Sequence, residues 1–145
     1  MSYAVDVNPL LYASDSGSPK HDAAKAFLED CFSGREILCL SWLTLMAYLR
    51  ISTHSRIFSR PLSPDSAMKN IEMLLGLPQT RVLSEGDGFW DCYREISGEF
   101  PVRGNFVPDA HLVALMLEHD VPLLYTNDAD FKKFSVIRVR NPLTP

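Results

Sequence analysis

The sequence predicts an α/β domain in which a parallel sheet lies between helices, and three observations lead there. Short apolar runs alternate with stretches of helical periodicity from one end of the chain to the other. With 145 residues, 46% of them hydrophobic, the chain has the size of one ordinary domain, residues 1–145, and enough apolar material for a real core. No repeat, low-complexity tract or Gly/Ser linker divides it.

The elements follow in order. "SYAV" reads as a first strand, and after the turn-like "SDSGSPK" the residues Ala23, Ala24, Phe27, Leu28 and Cys31 recur at helical spacing. "EILCL" is a second strand. Ser41 then stands where its hydroxyl can accept from a free N–H in a first helical turn, ahead of the i, i+3, i+4, i+7 stripe of Trp42, Leu45, Met46 and Leu49. In "SPDSAMKNIEMLLG", Pro64 starts a helix, Ala67, Ile71, Leu74 and Leu75 share a face, and Gly76 stops it. "TRVLS" is a third strand. Phe89, Cys92, Tyr93 and Ile96 mark an amphipathic helix, and the Pro and Gly of "PVRGNFVP" make that stretch a loop. A strong helix follows in "PDAHLVALMLEHD", begun by Asp109 after Pro108, with Ala110, Val113, Ala114 and Leu117 as its stripe. "VPLLYT" and "SVIRVR" are the last strands, with a short helix at "ADFKKF" between them.

Composition narrows the function. The N-terminus lacks the charged start and apolar run of a secretory signal, and no apolar segment approaches the roughly 20 residues that cross a bilayer, so a soluble cytoplasmic protein with no membrane partner is expected. Cys31, Cys39 and Cys92 are odd in number and contain no C-x-x-C pair, which indicates buried thiols rather than disulfides or zinc. The net charge of -4 argues against gripping nucleic acid by overall charge. Two basic segments nevertheless stand out: "LRISTHSRIFSRPLS", with Arg50, His54, Arg56 and Arg60, and the tail after Asp130, with Lys132, Lys133, Arg138 and Arg140. Such runs are most often solvated faces.

Ligands of a doubly wound parallel sheet collect outside the carboxyl ends of its strands, where loops open a crevice. Asp6 directly follows "SYAV", Asp128 lies just after "VPLLYT", and Asp109 begins the helix leading into that strand. Individually, Asp109 and Asp128 fit helix caps and Asp6 fits a turn. Together they require more, because unit charges about 4 Å apart repel by ~1 kcal/mol in water and ~4 kcal/mol at an effective dielectric near 20. Hard oxygen donors without a His or Cys cluster favour Mg²⁺ or Mn²⁺ over zinc. Asp128, with Asp130 as helper, would complete such a metal cup.

These residues resemble the PIN-domain nucleases, in particular the VapC-type toxins of bacterial toxin–antitoxin pairs. The matching pieces are "VDVNPLLYA" with Asp6 and Asn8, "SWLTLMAYLRISTHSRIFSRPLS", "GNFVPDAHLVALMLEHD" with Asp109, and "LLYTNDADFKKF" with Asp128 and Asp130. The resemblance implies a three-layer α/β/α fold with a central parallel sheet of four or five strands. It also implies one or two Mg²⁺ or Mn²⁺ ions, endonucleolytic cleavage of RNA, inhibition by a cognate VapB-type antitoxin, and a homodimer. One position departs from the pattern. PIN nucleases commonly carry a glutamate on the helix after the second strand, where this chain has Ala47, beside Leu43 and Arg50. Either Asp6, Asp109, Asp128 and Asp130 suffice with water, or Asn8 or Asn105 adds a neutral oxygen, or the protein is a weak catalyst.

On this reading Asp6 and Asp109 bind the metal, Asp128 joins them directly or through water, and Asp130 either assists or caps the "ADFKKF" turn. Asn8 orients Asp6 or a water, while Arg50, Arg56, Arg60 and Lys132 are candidates for phosphate contacts. His54 and His111 receive no role. Two rival functions remain. A PIN-like module without the helix glutamate would bind RNA or antitoxin without cutting, using hydrophobes such as Trp42, Phe58 and Phe89 as a partner surface. A phosphohydrolase with Asp6 as nucleophile would want a second Asp where Asn8 stands.

Overall fold

In a computed structural model of the protein, which describes residues 1–144, five strands form one sheet in the order β3-β2-β1-β4-β5. They are β1 (Ser2–Val5), β2 (Ile37–Ser41), β3 (Thr80–Leu83), β4 (Leu123–Tyr125) and β5 (Arg138–Arg140). Every neighbouring pair is parallel. Parallel strands need crossover connections, and six helices supply most of them: α1 (Val7–Ser14), α2 (His21–Ser33), α3 (Trp42–Ser52), α4 (Pro64–Leu75), α5 (Phe89–Ser97) and α6 (Phe106–Glu118). The architecture is the expected three-layer α/β/α arrangement.

The alternation of side chains along each strand divides the interior into two cores. Tyr3, Val5, Leu38, Leu40 and Leu123 point into one, which they build with Leu10, Leu28, Leu45, Tyr48, Ala67, Ile71 and Leu74 from α1 to α4. Ala4, Cys39 and Leu124 point the other way, against Ile96 of α5 and Ala110, Val113 and Ala114 of α6, with Phe131 and Phe134 closing the edge. The three central strands, β1, β2 and β4, are thus buried on both faces, as continuous apolar runs require, while the edge strands β3 and β5 stay partly exposed.

Local chemistry sets most helix ends. Ser41 Oγ accepts from Thr44 N at 3.0 Å, and Ser63 Oγ accepts from Ser66 N at 3.1 Å one residue before Pro64. Helix α6 ends at a left-handed residue, Asp120 with φ 56, while Val121 N donates to Met116 O at 2.9 Å. That closing turn reverses the chain directly into β4.

The elements depart from the sequence reading at α1, α6 and the last two strands, β4 being only Leu123–Tyr125 of the expected "VPLLYT". Helix α1 was not expected, because its apolar stretch is short and contains Pro9; Asp6 caps it by accepting from Val7 N. Helix α6 begins at Phe106, so the stretch read as loop through Pro108 is its first turn, where a missing proline N–H costs nothing. Strand β5 is confined to Arg138–Arg140, the outer edge of the sheet. The cysteines are all free, with Cys31 and Cys39 buried and Cys92 partly so. No helix among the described residues is long and apolar enough to cross a membrane.

Candidate active site

The strand order reverses at β1: the chain runs outward through β2 and β3, then returns to place β4 on the other side of β1. At such a switch point the loops leaving neighbouring strands part and leave a crevice. Register decides what meets there. Val5 pairs with Tyr125, and Asp6 N donates to Tyr125 O at 3.0 Å, so the residues following β1 and β4 emerge side by side.

Asp6 is buried, 9% exposed, and fully engaged. Its Oδ1 accepts from Val7 N at 2.8 Å; its Oδ2 accepts from Thr126 Oγ1 at 2.8 Å and from Asn8 Nδ2 at 3.2 Å. Burial raises the Asp6 pKa, as does the charge of Asp128, while the Val7, Thr126 and Asn8 donors oppose the rise. Asn8 ties the two loops together, since its Nδ2 also donates to Thr126 Oγ1 at 3.2 Å and its Oδ1 accepts from Asn127 N at 2.8 Å. An amide held this way positions Asp6. It cannot shuttle a proton, so position 8 does not supply the second acid that the phosphohydrolase reading wants.

Asp128 follows β4, and its Oδ1 accepts from Asp130 N at 2.9 Å to cap the 3-10 turn Ala129–Lys133. The cap expected for Asp128 is present, and its other carboxylate oxygen takes no part in that bond. Asp130 is exposed and lies within the turn. Asp109 is the fourth residue of α6 and half-buried. Helix α6 leads into β4, so its N-terminal end lies above the carboxyl edge of the sheet, and the positive end of its dipole faces the acids. The Asp109 carboxyl is pushed up to about 6, first by burial, then by the charges of Asp128, Asp6 and Asp130. The four acids therefore share one field, although they come from three parts of the chain.

Among the described residues, no group of three or more His, Cys, Asp or Glu side chains is gathered closely enough to hold a metal ion as it stands. The donor set nonetheless fits a hard divalent cation in its chemistry: the groups are all carboxylates, and beside burial it is the negative charge of Asp128, Asp6 and Asp130 that raises Asp109, charge that a cation would relieve.

Asp6 and Asp109 open onto a groove of about 750 Å³ whose walls include Trp42, Leu43, Met46, Ala47 and Arg50 of α3, and Glu85, Pro108, His111 and Leu112. Ala47 lines the groove, as the departure from the PIN pattern anticipates. Arg50 lies on the groove wall, but Arg56 and Arg60 sit on the exposed segment after α3 and do not line it. Lys132 borders a separate small cleft with Thr126, Asn127 and Asp128. Asn105 immediately precedes α6, is exposed and makes no capping bond with its side chain. His111 Nε2 lies 2.8 Å from Glu85 Oε1, and His54 Nδ1 accepts from Arg56 N at 3.1 Å. Of the hydrophobes considered for a partner surface, Phe58 is buried and Phe89 packs on the α6 core, so only Trp42 is free.

Thr126 escaped the sequence reading, and it connects the parts of the site. Its hydroxyl donates to Asp6 and accepts from Asp128 N at 3.0 Å. The available signal was a hydroxyl residue two places before an acid at a strand end, a pattern that also serves ordinary turns.

The PIN domain family matches residues 3–137. This chain belongs to it. Over 144 residues, 99% of each chain, it is 41% identical to the ribonuclease VapC48 of Mycobacterium tuberculosis. The PIN fold is equally clear in three dimensions. The crystal structure of Mycobacterium tuberculosis VapC20, a sarcin-ricin loop cleaving toxin, aligns with a TM-score of 0.68 at 19% identity, covering 97% of this chain and 100% of that one. VapBC2 of Rickettsia felis, crystallised on a promoter DNA fragment, aligns with a TM-score of 0.70 at 16% identity, covering 97% and 98%.

Proposed function

We propose that the protein is a metal-dependent endoribonuclease and the toxin of a type II toxin–antitoxin pair, held inactive by a VapB-type antitoxin. The observation that carries the reading is the shared field of Asp6, Asp109, Asp128 and Asp130 at the switch point, in a PIN-family chain whose relatives are named ribonucleases. Structural neighbours that include VapBC and FitAB assemblies support an antitoxin partner. The protein acts as a single domain, as a homodimer in the cytoplasm, with RNA as its substrate.

Asp6, Asp109 and Asp128 would hold Mg²⁺ or Mn²⁺, with Asp130 at the rim. When bound there, such an ion would lower the pKa of a water and would offset charge developing on the scissile phosphate. The chain's own residues prepare the site. Thr126 and Asn8 hold the Asp6 carboxylate in one rotamer, the α6 N-terminus favours anionic groups beside Asp109, and Arg50 draws the phosphate backbone into the groove. Lys132 contacts phosphate from the Asp128 side. Arg56 and Arg60 would contribute only through a longer stretch of RNA.

Purified protein should cut structured RNA with Mg²⁺ or Mn²⁺, and stop with chelator or in Asp109→Asn. Cutting that needs no metal, or survives that substitution, refutes the proposal. Ala47 favours a second reading, a binding module with little activity, because an alanine lines the groove at the position where PIN nucleases commonly carry a glutamate.

A further inference from the structure

The exposed face of α3 carries a large aromatic in the same groove as Asp6 and Asp109. Trp42 is 50% exposed, Met46 54% and Leu43 38%, although α3 follows a buried strand and could have turned its apolar residues inward, as it does with Leu45 and Tyr48. Trp42, Met46 and Arg50 follow one another at i+4 spacing. At 1.5 Å per residue they cover about 12 Å of helix, with Leu43 and Ala47 alongside. All five line the groove that also contains Asp6 and Asp109.

The occupant of this groove must satisfy three demands. It must bring a flat apolar surface to Trp42, negative charge to Arg50, and continuity with the carboxylate end where the phosphodiester is to be cut. A nucleotide strand does all three, because each unit joins an aromatic base to a phosphate. An apolar peptide satisfies the first demand alone. Stacking needs a base free of its duplex partner, so an unpaired segment is implied.

We infer that Trp42 is a base-stacking platform that seats an unpaired nucleotide next to the scissile phosphate, with Arg50 holding the phosphate on the same strand. The inference rests on the ribonuclease reading for the identity of the strand. Trp42 would then choose where the backbone enters the carboxylate site: cutting occurs where an unstacked base can reach it. The surface reads base stacking, not base edges, so it selects single-stranded loops over helices without demanding one sequence.

The chain has two tryptophans. Trp90, 61% exposed and stacked on Tyr93 at 5.5 Å, lies outside the groove. Trp90→Phe therefore leaves Trp42 as the sole indole reporter. Its fluorescence is followed while a single-stranded oligoribonucleotide is added in Ca²⁺, with gels confirming that the strand stays intact. The comparators are an abasic strand of the same length and an apolar amphipathic peptide. The expected result is saturable quenching by the oligoribonucleotide and little by the abasic strand. In the same assay read by anisotropy of a labelled strand, Trp42→Ala should weaken binding about 5- to 150-fold, the range of one base–aromatic stack, and Trp42→Phe should restore most of it. Equal binding of the abasic strand, unchanged affinity in Trp42→Ala, or quenching by the peptide alone would overturn the inference. So would a shift of Trp42→Ala from dimer to monomer with RNA affinity unchanged, since Trp42 would then serve a second copy of the chain. Because binding is read without cutting, failure of the nuclease reading would appear separately, as intact RNA in Mg²⁺ beside normal quenching.

Discussion

Thr126 Oγ1 donates to Asp6 Oδ2 at 2.8 Å, a bond between residues 120 positions apart. The same oxygen accepts from Asp128 N at 3.0 Å and Asn8 Nδ2 at 3.2 Å. The hydroxyl is buried, so no solvent waits to replace it. Thr126→Val keeps the shape and deletes the donor, leaving a buried carboxylate oxygen and the Asp128 N–H each short of a partner. Losses of that kind cost about 1–3 kcal/mol. Removing the partner of a metal-binding carboxylate typically costs about 10- to 100-fold in metal affinity or activity. Thr126→Val should therefore lower unfolding free energy and raise the Mg²⁺ requirement for cutting by these amounts, whereas Thr126→Ser keeps both near wild type. Denaturant titration and metal titration of cleavage check the two halves separately; a Val variant matching wild type in both would show the hydroxyl to be idle.

Asp109 supplies a pH prediction with a definite sign. Its carboxyl sits at about 6 in the folded chain against an ordinary 3.8. Between those values the folded state binds more protons than the unfolded state, so this group makes stability fall as pH rises through the window and level off above it. Burial of Asp6 acts in the same direction. Metal-free protein should thus melt at a lower temperature at pH 7 than at pH 5. Asp109→Asn should flatten much of that difference, raise the melting temperature at pH 7, and abolish cutting. Mg²⁺ should restore the wild type at pH 7 by binding the folded state, with a smaller effect on the variant. Scanning fluorimetry across pH, with and without metal, provides the measurement.

How much of this was legible beforehand differs from residue to residue. Asp6 and Asp128 were readable because an apolar run that ends in an acid marks the carboxyl end of a buried strand, and β1–β4 pairing does the rest. Asp109 was readable as a helix-start residue, yet its depth in the first turn was not, since Phe106 and Val107 looked like the end of a loop. Thr126 was invisible because its three hydrogen bonds exist only after register brings residues 6 and 126 together. Arg50, Arg56 and Arg60 formed one basic stretch in sequence, but α3 ends at Ser52 and only Arg50 stays with the groove. Contiguity along a chain does not survive the end of a helix.

That division of the basic stretch has a measurable consequence. A side chain that neutralises one phosphate contributes about one unit to the slope of log binding against log salt. Arg50→Ala should lower the slope by close to that amount and weaken binding to every strand tested. Arg56→Ala and Arg60→Ala should leave the slope for short oligonucleotides unchanged. Anisotropy titrations at four or five salt concentrations separate the cases, and equal effects from all three arginines would mean that the RNA path leaves the groove and runs along the exposed segment after α3.

Ala47 offers the sharpest test of whether the acids present are sufficient. It lines the groove together with Asp6 and Asp109, so Ala47→Glu adds a further carboxylate to a field that, with burial, already pushes the Asp109 carboxyl up to about 6. Without metal the added charge raises repulsion, and each kcal/mol lost lowers the melting temperature by about 2–4 °C in a chain of this size. With metal, the same group is another hard oxygen donor. Ala47→Glu should accordingly melt lower than wild type in chelator, melt at least as high in Mg²⁺, and reach half-maximal cutting at a lower Mg²⁺ concentration. The saturated cutting rate then separates the two functional readings. A modest change beside solid wild-type cleavage shows the natural site to be complete, whereas a large rise from a near-zero baseline shows that the natural chain binds RNA far better than it cuts it.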